Sequence, residues 1–343
     1  MSNAAQLYSI ATNVNRYGSL IIFLFGSVGT VLNVIIFSID RELKQNPCSR
    51  LFLSSSIAAC VALFSGLPNR FLTSFGLDLM VQHDILCKFY MIILLCSLSC
   101  SASFIALVSI ERWLNSSVEA NYRIISSMKN VNRAIITTIT VLVLCYGQML
   151  YCHAVNQKGS RRACTGINIV CLYLNDFIHL ILFVIIPVGI MIIFGLLTLR
   201  NIKQTHHRIT NINRNQINNN VRGGRPQRQQ STLTALMLIQ VCLLTICNLP
   251  VGIHRVYSTI TENTYKSPEQ QAIETIILQL VYLLTYVGIA LPFYLYTLTG
   301  KLFREALFRR YYLIFHRRRT NQSITIATKS RPNHVQINEL QHE

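Results

Sequence analysis

Apolar residues in this chain gather into long runs, and the charges are confined to the gaps between them. Charge-free stretches lie between Arg16 and Asp40, Arg50 and Arg70, Lys88 and Glu111, and Arg133 and Lys158. Three more lie between Asp176 and Arg200, Arg228 and Arg255, and Glu274 and Lys301, and all seven contain 19 to 26 residues. A helix needs roughly 20 apolar residues to cross a hydrocarbon core, whereas soluble helices run about 8–20 residues and keep a polar face. The pattern predicts an all-α membrane protein, a seven-transmembrane helix bundle over residues 17–299. Within the run from Cys87 to Trp113, Ser97, Ser99, Ser101 and Ser103 recur. Small polar groups in lipid face neighbouring helices, so this run is the expected central span.

Composition agrees. Of 343 residues 51% are hydrophobic and only 13% charged, against about 25% charged in a soluble domain. The net charge of +18 raises the question of nucleic acid, but its placement argues otherwise. With the N-terminus outside, 23 of the 31 Lys and Arg fall on the cytoplasmic side and eight on the outer side. That is the positive-inside pattern. It predicts a multi-pass plasma-membrane protein with an extracellular N-terminus and a cytoplasmic C-terminus. The basic side then lies against anionic membrane lipid, and no nucleic-acid partner is expected.

Between and beyond the spans, residues 1–16 read as a short extracellular tail without a signal-peptide core. The second span is expected to end near Pro68. Residues 201–230, rich in Asn, Gln and Arg, read as a mobile cytoplasmic loop. Over 300–315, Leu302, Phe303, Leu307 and Phe308 alternate with Lys301, Arg304, Arg309 and Arg310 at helical spacing, the mark of an amphipathic surface helix. Residues 316–343 read as a disordered cytoplasmic tail.

Several residues carry candidate chemistry. Asn33 is an amide in hydrocarbon, expensive unless satisfied; it bonds across to the second span or sits as a tolerated amide near the interface. Pro187 and Pro250 fall inside the fifth and sixth spans and kink them. Cys87 and Cys164 lie on the oxidising side, where a disulfide would tie the second outer loop to the third span; Cys152 and Cys171 are rival partners. The other seven cysteines read as small apolar fillers. Six polar side chains face the outer half: Asp176 and His179, Asn248 and Arg255, Tyr282 and Tyr286. Arg255 either pairs with an acidic ligand group or snorkels, and the tyrosines either line a site or form an aromatic belt. No metal spacing, no HExxH, no paired intramembrane aspartates and no nucleophile–base pair is visible, so neither an enzyme nor a cofactor is expected. A transporter or channel is disfavoured by the scarcity of intramembrane charge and the lack of an internal repeat.

Taken together, residues 17–312 resemble a rhodopsin-like (class A) G-protein-coupled receptor. Cys87 is followed 25 residues later by Arg112 within Glu111-Arg112-Trp113, the separation the family keeps between its disulfide cysteine and its Asp/Glu-Arg-Tyr triplet. Asn33, Pro187 and Pro250 match the family's asparagine and prolines, with Cys247 three residues before Pro250. Tyr296, followed by six residues and Phe303, matches the end of the seventh-span motif. The resemblance implies that Glu111 holds Arg112 at rest and that released Arg112 contacts a heterotrimeric G protein. It also implies an extracellular ligand and arrestin as partners.

The departures from the family pattern are specific. The second-span aspartate, which with Asn33 and Ser101 would form a sodium pocket, aligns with Ala59. The fourth-span tryptophan is missing, Cys-Trp-x-Pro reads Cys247-Asn248-Leu249-Pro250, and the seventh-span proline, Pro292, is displaced by one residue. The family's retinal proteins need a lysine absent from 275–300, and its amine receptors need a carboxylate where this chain has Leu94. What remains is a peptide, a lipid or another small molecule. The general look of the chain resembles divergent invertebrate peptide receptors, which implies a peptide. A receptor fold that no longer signals is the alternative.

Overall fold

The computed structural model describes residues 3–299 apart from 118, 159–160, 216–224 and 262–263, together with Arg304. Seven helices are long and apolar enough to cross a membrane. They begin with α1 (Asn3–Ile39), α2 (Pro47–Thr73), α3 (Asp84–Ser116) and α4 (Met128–Tyr146). α5 is assembled from Ile169–His179, a π-helical turn at Leu180–Ile185, and Ile186–Asn215. α6 (Arg225–Ile260) and α7 (Pro268–Ala290) follow, and Pro292–Thr299 continues as α8. The chain divides into two compact units, Met1–Gly300 and Lys301–Glu343. The expected surface helix over 300–315 and the tail over 316–343 lie outside the described residues, except for Arg304, which is helical.

The helix starts are written in local chemistry. Asn46 caps α2 by accepting the Cys48 amide at 3.0 Å, and Pro47 occupies the first turn, where no donor is lost. Ser127 caps α4, and Asn168 caps α5 through the Cys171 amide at 2.8 Å. Ser267 and Gln270 form a reciprocal capping box before α7, again with a proline at the first position.

Three boundaries differ from the sequence reading. α1 starts at Asn3, so most of the expected tail is helix; at about 1.5 Å per residue its 37 residues span about 55 Å. α2 runs through Pro68 for a further turn to Thr73. In a bundle the neighbouring helices compensate for a missing proline donor, so Pro68 does not stop it. The loop expected at 201–230 is taken up by helix from both sides, α5 to Asn215 and α6 from Arg225. At the expected kinks, Pro187 stands two residues after the π-helical turn, where the Ile186 amide bonds to the Ile181 carbonyl, a register shift of the type that bends helices. Pro250 lies inside α6.

α3 is the central column, with 67% of its most apolar stretch buried against 22% for α4. Ser99 and Ser109 are fully buried on it. Between α4 and α5 a hairpin of β1 (His153–Lys158) and β2 (Arg161–Gly166) pairs antiparallel, placing Val155 opposite Cys164. Cys164 is bonded to Cys87 in the first turn of α3. A second disulfide joins Cys152 and Cys171 across the base of the hairpin. The two cysteines read as rivals of the first pair are therefore partners of each other. The Val155 amide adds a 2.8 Å bond to Asp84 on α3.

Candidate functional site

At the hairpin end the helices enclose a cavity of about 290 Å³. Arg255 on α6, Tyr282 and Tyr286 on α7 and His179 on α5 all reach it. Their roles differ from one another. Arg255 donates to Asp176 at 2.6 Å and to the Tyr282 hydroxyl at 3.3 Å. Asp176 also accepts from Thr259 Oγ1 at 2.8 Å and lies outside the cavity lining. The two expected ligand groups thus satisfy each other. His179 Nδ1 and the Tyr146 hydroxyl share a hydrogen bond at 3.0 Å, and that hydroxyl bonds Ser99 at 2.6 Å, so this imidazole closes a buried link between α3, α4 and α5. Asn248 does not face the cavity. It is 1% exposed beside Gly288 of α7, and its Oδ1 has no partner among the described residues.

Sequence reasoning missed Arg70. Because α2 continues past Pro68, Arg70 stands in its last turn and lines the cavity. Its Nη1 donates to Asn15 Oδ1 at 3.2 Å and to Gln279 Oε1 at 2.7 Å. Asn15 returns a 2.9 Å bond to the Arg70 carbonyl, so a residue of the expected tail sets the arginine's position. The guanidinium lies 4.3 Å from the Tyr282 ring centroid, and that of Arg255 lies 5.9 Å from it, both within cation–π range. Among the described residues Arg70 forms no ion pair. Asp78 also lines the cavity, but its Oδ1 accepts from Asn69 and the Met80 amide. The one signal in the sequence was a charge two residues past a proline that membrane helices tolerate.

Gly66 fixes the floor of this cavity. A Cβ there would stand 1.9 Å from the Tyr286 hydroxyl, so the close approach of α2 and α7 requires glycine. Leu94 and Leu98 of α3 complete the wall where a carboxylate would bind an amine. Just beyond the helices, His153 at the start of the hairpin is buried, and that burial, assisted by the Arg255 charge, lowers its pKa below the ordinary histidine range.

Toward the middle of the bundle the polar groups close on one another. Ser55 Oγ donates to the Ser101 carbonyl at 3.0 Å and meets Ser101 Oγ at 3.3 Å, linking α2 to α3. Asn33 is 2% exposed, but the bond expected across to α2 is not made; its Oδ1 has no partner among the described residues. It borders a void of only about 10 Å³ shared with Ala59 and Ser101.

The Glu111-Arg112-Trp113 triplet lies at the far end of α3. The Glu111 carboxylate accepts from Ser126 Oγ and from Asn115 Nδ2 at 3.0 Å. Among the described residues it forms no ion pair with Arg112, in contrast to the arrangement the resemblance implied. Arg112 is 7% exposed, with Nε unpartnered among the described residues and its guanidinium against the Cys48 thiol of α2. Trp113 packs against Tyr122 at 5.2 Å and Phe194 of α5 at 5.3 Å. Tyr296 stands in α8, and its side chain lies outside the described residues.

Seven membrane-length helices, α3 their central column, with a disulfide-braced cavity at one end, define a multi-pass helical membrane protein. The family model of the 7 transmembrane receptor (rhodopsin family) matches residues 29–291, and the chain belongs to that family. A comparison with curated proteins returned no significant match.

Proposed function

We propose that this receptor binds a peptide in the cavity at the hairpin end and passes the signal to a heterotrimeric G protein at the triplet end. The hairpin end then faces the cell exterior, a placement supported by the positive-inside distribution of Lys and Arg. The observation that carries the reading is that one helix, α3, joins both ends: Cys87 holds the hairpin over the cavity, and Arg112 is buried at the other extremity. A ligand that prefers one packing of the bundle shifts the population of the other end. The cavity is small beside pockets of ~300–1,000 Å³ for drug-sized ligands, and amides of Asn15, Asn69 and Gln279 stand in its wall. It suits one terminus of a peptide better than a whole one.

The test is G-protein activation, constitutive and ligand-stimulated, in cells expressing the chain, screened with a peptide library. Arg112→Ala is expected to abolish activation while surface expression and ligand binding persist. Undiminished coupling in that variant overturns the role of Arg112. Silence of the wild-type chain at the cell surface favours a receptor fold that has lost signalling.

A further inference from the structure

We infer that the ligand presents a carboxylate to Arg70, which makes this a receptor for an acidic peptide terminus or acidic side chain. The inference rests on the reading of the hairpin-end cavity as the ligand site. Two cations reach this cavity, and they differ in what they have left to give. Arg255 spends Nη1 on Asp176 and Nη2 on Tyr282, while its Nε is sealed without a partner. Arg70 spends only Nη1, and on two neutral carbonyl oxygens. Among the described residues its Nε and Nη2 make no hydrogen bond of good geometry, although the Tyr286 hydroxyl lies beside the guanidinium, and neither nitrogen is sealed in protein. Asn15 and Gln279 hold the guanidinium in place without neutralising it, and it lines the cavity between the Tyr282 ring at 4.3 Å and the Tyr286 ring at 6.0 Å.

Such a fork matches a carboxylate with two parallel charge-assisted hydrogen bonds. An ordered guanidinium that already has its geometry loses little freedom on binding. The opposing charge in the same lining is Asp78, whose Oδ1 is committed to Asn69 and the Met80 amide. Asp78 repels an anion and so sets an upper limit on affinity that its removal would lift.

The experiment uses the full chain in cells and, purified, in lipid nanodiscs. The probes are peptides in matched forms: free-acid against amidated C-terminus, and internal Glu against Gln. Thermal stabilisation and G-protein activation are both read. Probes that bind are expected to lose at least tenfold in potency when the carboxylate is neutralised. The arm that loses identifies terminus or side chain. Arg70→Gln is expected to cost the acid form the same factor and leave the neutral form unchanged, with Arg70→Lys intermediate and Asp78→Asn raising acid potency. Equal potency of acid and neutral forms on the wild-type chain overturns the inference without reliance on any variant. So does an Arg70→Gln loss that is equal for both forms, or stabilisation by no probe. Acid-selective stabilisation without G-protein activation upholds the carboxylate and counts instead against the signalling proposal.

Discussion

The two ends of α3 handle an arginine in opposite ways. At the hairpin end Arg70 stands in a cavity of about 290 Å³, with donors to spare and only neutral partners. At the triplet end Arg112 is 7% exposed and packed on Cys48, while its neighbour Glu111 is occupied by Ser126 and Asn115. An arginine open to a cavity is preorganised for a ligand; one enclosed in protein must be released before anything can touch it. On the proposed function, the hairpin end is the one suited to receive and the triplet end the one suited to rearrange. The difference also places the rigidity. Both disulfides lie at the receiving end, whereas the triplet end is held by hydrogen bonds and ring contacts, each contributing about 1 kcal/mol and each able to exchange partners.

The largest test of that contrast is to remove the bracing. Cys87–Cys164 closes a separation of 77 residues and Cys152–Cys171 one of 19. Loop-closure entropy gives about 4.5 and about 3 kcal/mol for loops of those lengths. Cys87→Ser is therefore expected to lower the melting temperature of the purified receptor more than Cys152→Ser, and both to depress ligand binding. A larger loss for Cys152→Ser would show that the base of the hairpin, rather than its attachment to α3, holds the cavity open.

A smaller test separates the two arginines. Asp176→Asn leaves Arg255 without its counter-ion in a site where the paired side chains are 12% and 17% exposed. Stranding a mostly buried charge is expected to cost about 1–3 kcal/mol, read as lowered thermal stability, and Arg255→Gln in the same chain is expected to recover part of it. If Asp176→Asn is silent, the pair is a passive surface contact and Arg255 is as free for a ligand as Arg70.

The fold was legible because spanning a membrane imposes a length and a charge rule on every helix, and both are visible in the chain without knowledge of neighbours. Cys87 and the triplet were legible for the same reason, since each marks a helix end. The cavity was less so. Whether Asp176 meets a ligand or Arg255, and whether Asn248 faces the cavity or Gly288, depends on how α5, α6 and α7 are rotated, which only packing sets. Arg70 was hidden by Pro68, because a proline that ends a soluble helix is carried through in a bundle. Cys152 and Cys171 were legible as oxidisable residues, but their pairing followed only once the hairpin brought the ends of α4 and α5 together.

The smallest expected effect sharpens the contrast where the two ends meet. Ala59 stands where the family resemblance would place a sodium-binding carboxylate, and Ser55 bonds Ser101 beside a void, bordered by Asn33, of about 10 Å³. A cation there would have neutral oxygens and no formal charge to offset the several kcal/mol cost of desolvating an ion in an apolar interior. Ligand affinity is accordingly expected to be the same in NaCl and in KCl at equal ionic strength, with only the general screening of Arg70 appearing as salt rises. Ala59→Asp is expected to create a sodium-specific shift only if the midsection has kept its capacity to change packing. A sodium-specific effect in the wild-type chain would locate a cation site elsewhere, and the communication between receiving and rearranging ends would then run through a charge instead of through packed serines.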